Sequence, residues 1–128
     1  MVAARVAEGA TVDFRPSGSS MVPLIRSGDP VTVAPVDPTR LEVGDIVLAR
    51  VAGAVCLHLV SAIDPAKGRV QISNNRGRVN GWTGRERVFG ICVAVKGVPR
   101  QSAVAKAVAR EPDAQASDRN SPLRGGGG

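Results

Sequence analysis

The residues best suited to covalent chemistry lie in the run Pro16-Ser17-Gly18-Ser19-Ser20-Met21-Val22-Pro23-Leu24, and the chain's one histidine is His58. A serine hydroxyl is a weak nucleophile until a neighbouring base takes its proton. Imidazole, with an unperturbed pKa near ~6.5, can do this at neutral pH without a large shift. Gly18 lets a substrate backbone come close, and a Ser20 that opens a helical turn would aim its own N–H at a developing oxyanion. Together these are the ingredients of acyl transfer. The structural alternatives are a helix N-cap for Ser20 and a half-buried histidine bonded to backbone for His58.

The elements that must hold these groups read as strands. Short β-branched runs recur between turn signals, at Val31 to Val36, Ile46 to Val51, Val55 to Ile63, Arg69 to Ser73 and Val88 to Val95. This rhythm predicts an all-β fold. Alternation along the third run puts Val55, Leu57 and Leu59 on one face and Cys56, His58 and Val60 on the other. Turns fall at Gly28-Asp29, Gly44-Asp45, Ala52-Gly53 and Asp64-Pro65, and Asn80-Gly81 has the composition of a two-residue hairpin. Gly28-Asp29 and Gly44-Asp45 each precede an apolar strand, with glycine permitting the turn and aspartate capping it. The predicted helix content is at most one short helix after Ser20.

The Ser20-Met21-Val22-Pro23 box, the two Gly-Asp strand starts and the later Leu57-His58-Leu59-Val60 strand stand in an order that resembles the LexA and type I signal peptidase superfamily. The likeness covers about residues 14 to 95 and implies a compact β module. In the endoplasmic-reticulum and archaeal type of signal peptidase, a histidine on a Val-His-Arg-Val-like strand is the base. The resemblance therefore implies a soluble serine peptidase in which Ser20 attacks a peptide carbonyl and His58 is the base. Gly18, Ser19, Met21 and Pro23 would shape the oxyanion site and position the nucleophile. Those relatives carry a Gly-Asp-Asn-Asn box beyond the base; here the place is taken by Ile72-Ser73-Asn74-Asn75, without a carboxylate. Asn74 and Asn75 are thus expected either to orient His58 or to build a turn. Leu59 replaces the family arginine.

Composition narrows the alternatives. The 128 residues are one domain's worth of chain, and 43% hydrophobic content suffices for a core. Aromatics are only 2%, namely Phe14, Trp82 and Phe89, so the core is aliphatic and base-stacking platforms are disfavoured. Lys67, Arg69, Arg76, Arg78, Arg85 and Arg87 contribute to a formal charge of +6. Such a patch makes a basic nucleic-acid-binding β-barrel the weakest of three readings. The second is a non-catalytic peptide- or protein-binding module of the same fold.

One histidine and the two separated cysteines, Cys56 and Cys92, cannot assemble a Cys/His zinc site. No metal or cofactor is expected, and a disulfide between the two cysteines stays open. The longest apolar stretch, Val51 to Ile63, falls short of the about 20 residues a spanning helix needs. No integral membrane segment and no secretory signal are read, and a cytoplasmic location is expected. Residues 1–10 read as a flexible leader, 11–96 as the folded β domain, and 97–128 as a disordered tail. The expected partner is a peptide or protein substrate.

Overall fold

A computed structural model of the chain describes residues 2–108. Eight strands form one antiparallel sheet: β1 (Val12–Phe14), β2 (Val31–Ala34), β3 (Ile46–Val51), β4 (Ala54–Asp64), β5 (Arg69–Ser73), β6 (Val79–Gly84), β7 (Val88–Val95) and β8 (Val98–Pro99). The spatial order is β1-β2-β7-β3-β4-β5-β6, with β8 paired to the end of β7. The all-β expectation holds, and β3, β5 and β7 begin and end where the β-branched runs do.

The β3–β4 hairpin pairs Val51 with Ala54 across two residues, Ala52 at φ 52° and Gly53 at φ 81°. Two positive φ values in a two-residue loop match the right-handed twist of the flanking strands. Both Gly-Asp turns adopt the same form. Asp29 Oδ2 accepts the Arg26 N–H and Asp45 Oδ2 accepts the Glu42 N–H, each at 2.8 Å. Gly28 and Gly44 have φ values of +84° and +99°, where a side chain would be strained.

Both faces of β3 are buried, as alternation along a central strand allows. Ile46 and Leu48 join Val12, Met21, Ile25, Val31 and Val33 in one cluster; Val47, Ala49 and Val51 join Val60, Val70, Ile72 and Ile91 in the other. The β3–β6 half of the sheet curls round the second cluster until β6 meets β3 again. There Thr83 Oγ1 donates to Arg50 O at 2.7 Å.

Two short helices close the ends. Helix α1 (Val2–Ala7) buries Ala3 and Val6, one turn apart, against the first cluster. It docks where Gly90 leaves room: a Cβ there would lie 2.5 Å from Val6 Cγ1 and 2.6 Å from Ala34 O. The residues expected as a flexible leader are therefore structured through residue 7, by tertiary burial that a six-residue helix needs in place of intrinsic propensity.

The boundary expected at 97 falls inside a second two-residue hairpin, Lys96-Gly97, which joins β7 to β8. Helix α2 (Gln101–Lys106) follows and buries Ala103 in the second cluster. The folded unit thus extends at least to Val108, whose N–H donates to Pro35 O at 2.8 Å. The remainder of the expected tail, 109–128, lies outside the described residues. Among the described residues no helix is long and apolar enough to cross a membrane.

Candidate active site

Ser20 sits on the long connection from β1 to β2. Gly18, at φ +99°, turns the chain just before it. The connection is tied at its base, where Gly28 N–H donates to Pro16 O at 2.8 Å and Arg15 Nη1 donates to Gly28 O at 2.9 Å. Met21 and Ile25 anchor its far side in the first cluster, and Ile25 N–H donates to Met21 O at 3.0 Å. The helix expected after Ser20 is a set of turns held by these bonds. Met21, expected as a positioning residue, is buried beneath Ser20 in the first cluster. Pro23 is exposed on the same turns, and Ser19 Oγ accepts a long 3.4 Å bond from Arg76 Nη1.

His58 projects from β4 on the face of Cys56 and Val60 and is half-buried. Its Nε2 lies 3.0 Å from Ser20 Oγ, and its Nδ1 lies 2.8 Å from Asn80 Oδ1. An amide oxygen only accepts, so this arrangement places the ring proton on Nδ1 and leaves the Nε2 lone pair facing the serine hydroxyl. Burial pushes the imidazole pKa down and the Asn80 bond pulls it partly back; the net position is below the ordinary 6.5. The ring is therefore neutral at neutral pH and able to accept a proton.

Asn80 reaches His58 from β6, two strands away from β4. Strands lie about 4.8 Å apart in a flat sheet, so the curl of the β3–β6 half is what lets the two side chains meet. A bulge completes the aim. Ile72 pairs with Gly81 and Ser73 with Val79, which leaves Asn80 as the extra residue of β6. Bulges re-aim side chains in this way. Asn80-Gly81 is accordingly a bulge within a strand and not the hairpin turn its composition suggested. The signal in the sequence was a glycine inside a strand-like run.

Neither Asn74 nor Asn75 bonds to His58, and of the two alternatives Asn74 takes the turn-building one. Asn75 donates its backbone N–H to Ser20 O at 2.8 Å and its side-chain Nδ2 to Val22 O at 3.1 Å. It therefore grips the Ser20 loop. Asn74 builds the turn between β5 and β6, its Oδ1 accepting the N–H groups of Arg76 and Arg78 at 2.8 and 2.9 Å. The side chain bonded to the His58 ring is that of Asn80, which occupies the next strand of the same hairpin.

The pair opens on a groove of about 440 Å³. Its apolar walls come from Val2 and Ala3 of α1, Phe14, Leu48, Val55 and Leu57; among the described residues Arg26 is the one charged residue that lines it. Cys56 lines the groove as well, while packing against the second cluster. Both cysteines are free thiols, and burial pushes each upward. On the basic segment, the Arg69 guanidinium stacks over Trp82 at 4.8 Å from the ring centre, which gives that tryptophan a local partner.

No protein-family model matches the chain, and no match is found among curated proteins. The site itself is a hydroxyl, an imidazole and an amide in hydrogen-bonded series, beside an apolar groove.

Proposed function

We propose that the chain is a serine peptidase, similar in its motifs to the LexA and signal peptidase superfamily, in which Ser20 is the nucleophile and His58 the general base. The observation that carries this reading is the Ser20–His58–Asn80 series at 3.0 and 2.8 Å, opening on the groove. In the first half-reaction Ser20 Oγ bonds to the peptide carbonyl carbon as its proton passes to His58 Nε2. The tetrahedral intermediate then collapses, the C–N bond breaks, and His58 gives that proton to the leaving amine. In the second half-reaction a water attacks the ester. His58 takes the water's proton and returns it to Ser20 Oγ as the acid product departs.

The Ser20 backbone N–H has no acceptor among the described residues and is the donor available to the oxyanion. Asn80 fixes the tautomer of the ring. As a neutral group it stabilises the imidazolium less than an aspartate would.

A fluorophosphonate probe, which phosphonylates activated serines, tests the nucleophile directly. Peptide mapping is expected to find the adduct on Ser20, with labelling lost in Ser20→Ala and in His58→Ala. Absence of both labelling and peptide cleavage in a folded protein above neutral pH would overturn the peptidase. The non-catalytic peptide-binding module would then be the better account.

A further inference from the structure

The groove beside Ser20 has a composition that points to what occupies it. Val2, Phe14, Val55 and Leu57 are only half-buried, so each keeps apolar surface in contact with water until something covers it. A volume of about 440 Å³ lies within the range of sites that enclose a ligand. It holds a large side chain together with some peptide backbone. An alanine-sized group would leave the α1 wall and the Val55–Leu57 wall uncovered.

The charge at the groove has one sign. Arg26 is exposed, and its guanidinium forms no ion pair among the described residues. The Asp29 carboxylate nearby is engaged by the Arg26 backbone N–H at 2.8 Å. Arg15 is turned to Gly28 O, and Arg76 reaches Ser19 Oγ. Arg15, Arg26 and Arg76 thus lie on or against the Ser20 loop. An acidic chain is attracted there and a basic one repelled.

We propose that the groove takes an extended, acidic peptide, seating a large aliphatic or aromatic side chain between α1 and the sheet while an Asp or Glu of the same peptide faces Arg26. The placement of the bound side chain next to a scissile carbonyl rests on the peptidase reading; the ligand class itself rests on the walls and the charge. Helix α1 is then part of the specificity pocket, and Val2 and Ala3 help to set the size of the residue it accepts.

The test uses Ser20→Ala, which binds without cleaving, and fluorescent peptides that differ at two positions: Ala, Leu or Phe at one, and Glu, Gln or Lys at the other. Anisotropy is expected to show the Leu/Glu and Phe/Glu peptides binding about tenfold or more tighter than the Ala/Glu peptide, and Lys peptides binding weakest. Bound peptide should also shield Cys56 from maleimide, while Cys92, fully buried, stays silent. Arg26→Glu, at an exposed position, should invert the Glu/Lys preference. Val55→Trp should fill the groove and abolish the advantage of Leu and Phe.

Equal or tighter binding of the Ala or Lys peptides, absence of binding, or binding that leaves Cys56 reactive would overturn the assignment, whatever the wild type cleaves. Selective binding with protection of Cys56, but without cleavage by the wild type, would support the ligand class and overturn the peptidase reading instead.

Discussion

At His58 two neighbours act on one proton in opposite senses. Burial favours the neutral ring, and the Asn80 carbonyl oxygen on Nδ1 favours the charged one; burial prevails, and the pKa lies below 6.5. In a reaction that needs Nε2 free, kcat/KM should therefore rise on an acid limb with its midpoint below 6.5 and stay flat through neutrality. The same shift makes the unfolded chain the tighter proton binder. Stability is then full above 6.5 and declines as pH falls toward the folded-state value. Asn80→Asp should move the limb to higher pH, because a carboxylate stabilises the imidazolium. It should also raise kcat above the limb. Asn80→Ala should move the limb further down and cost part of the ~10²–10⁴-fold that a positioned base contributes. Initial rates across pH on one peptide check all three, and a limb that ignores both substitutions would remove Asn80 from the mechanism.

The β5–β6 hairpin is the element that assembles the site. Its turn holds the Ser20 loop through Asn75, and its second strand holds His58 through Asn80, so one hairpin sets the places of both side chains. Asn75→Ala removes the bond to Val22 O and keeps the backbone bond to Ser20 O. Stability should fall by only about 0.5–1.5 kcal/mol, and kcat should fall more than KM changes. The acid limb should stay where it is, which separates a residue that positions the serine from one that tunes the base. An unchanged kcat in the folded variant would make the Asn75 contact merely structural.

Strands β2, β3, β4, β5 and β7 and both Gly-Asp turns were legible in the sequence because β-branched alternation and Gly/Asp chemistry are local signals, whereas β1 and β6 lack such a run. The Asn80 contact was not, since it depends on a bulge and on the curl of strands distant in sequence. Its Asn-Gly pair satisfies a hairpin rule equally well. For Asn74 and Asn75 the hairpin was legible but not every partner: Asn74 builds the turn, the second of its two expected roles, while Asn75 bonds to the backbone of the Ser20 loop. Likewise α1 and β8 are too short to announce themselves and exist through what they bury.

For the molecule as a whole, the least legible feature is the way its C-terminal helix is fastened. Lys106 is 7% exposed and Asp45 4%, and Lys106 Nζ donates to Asp45 Oδ1 and Oδ2 at 3.0 and 2.9 Å. Glu42 Oε1 lies 2.6 Å from the same nitrogen, but that side chain is 71% exposed and contributes less than the buried partner. The ion pair ties α2 to the Gly44-Asp45 turn that starts β3, the strand at the centre of both clusters. Burial lowers the Lys106 pKa, and the bonds and charges of Glu42 and Asp45 more than offset this, leaving it above 10.5.

Because the folded-state value is the higher one, the contribution of Lys106 is full below 10.5 and fades as pH rises through the folded-state pKa. Lys106→Met strands the Asp45 carboxylate in the interior and should cost about 3–5 kcal/mol, a large share of the roughly 5–15 kcal/mol by which domains are stable. Adding Asp45→Asn to it removes the stranded charge. The amide oxygen can still accept the Glu42 N–H, so most of the loss should return. Urea midpoints near neutral pH should rank wild type first, the double variant next and Lys106→Met last. Above 10.5 the gap between wild type and Lys106→Met should narrow. A gap that persists at high pH would mean that Lys106 holds α2 by the packing of its stem, and that the charge on Nζ adds little.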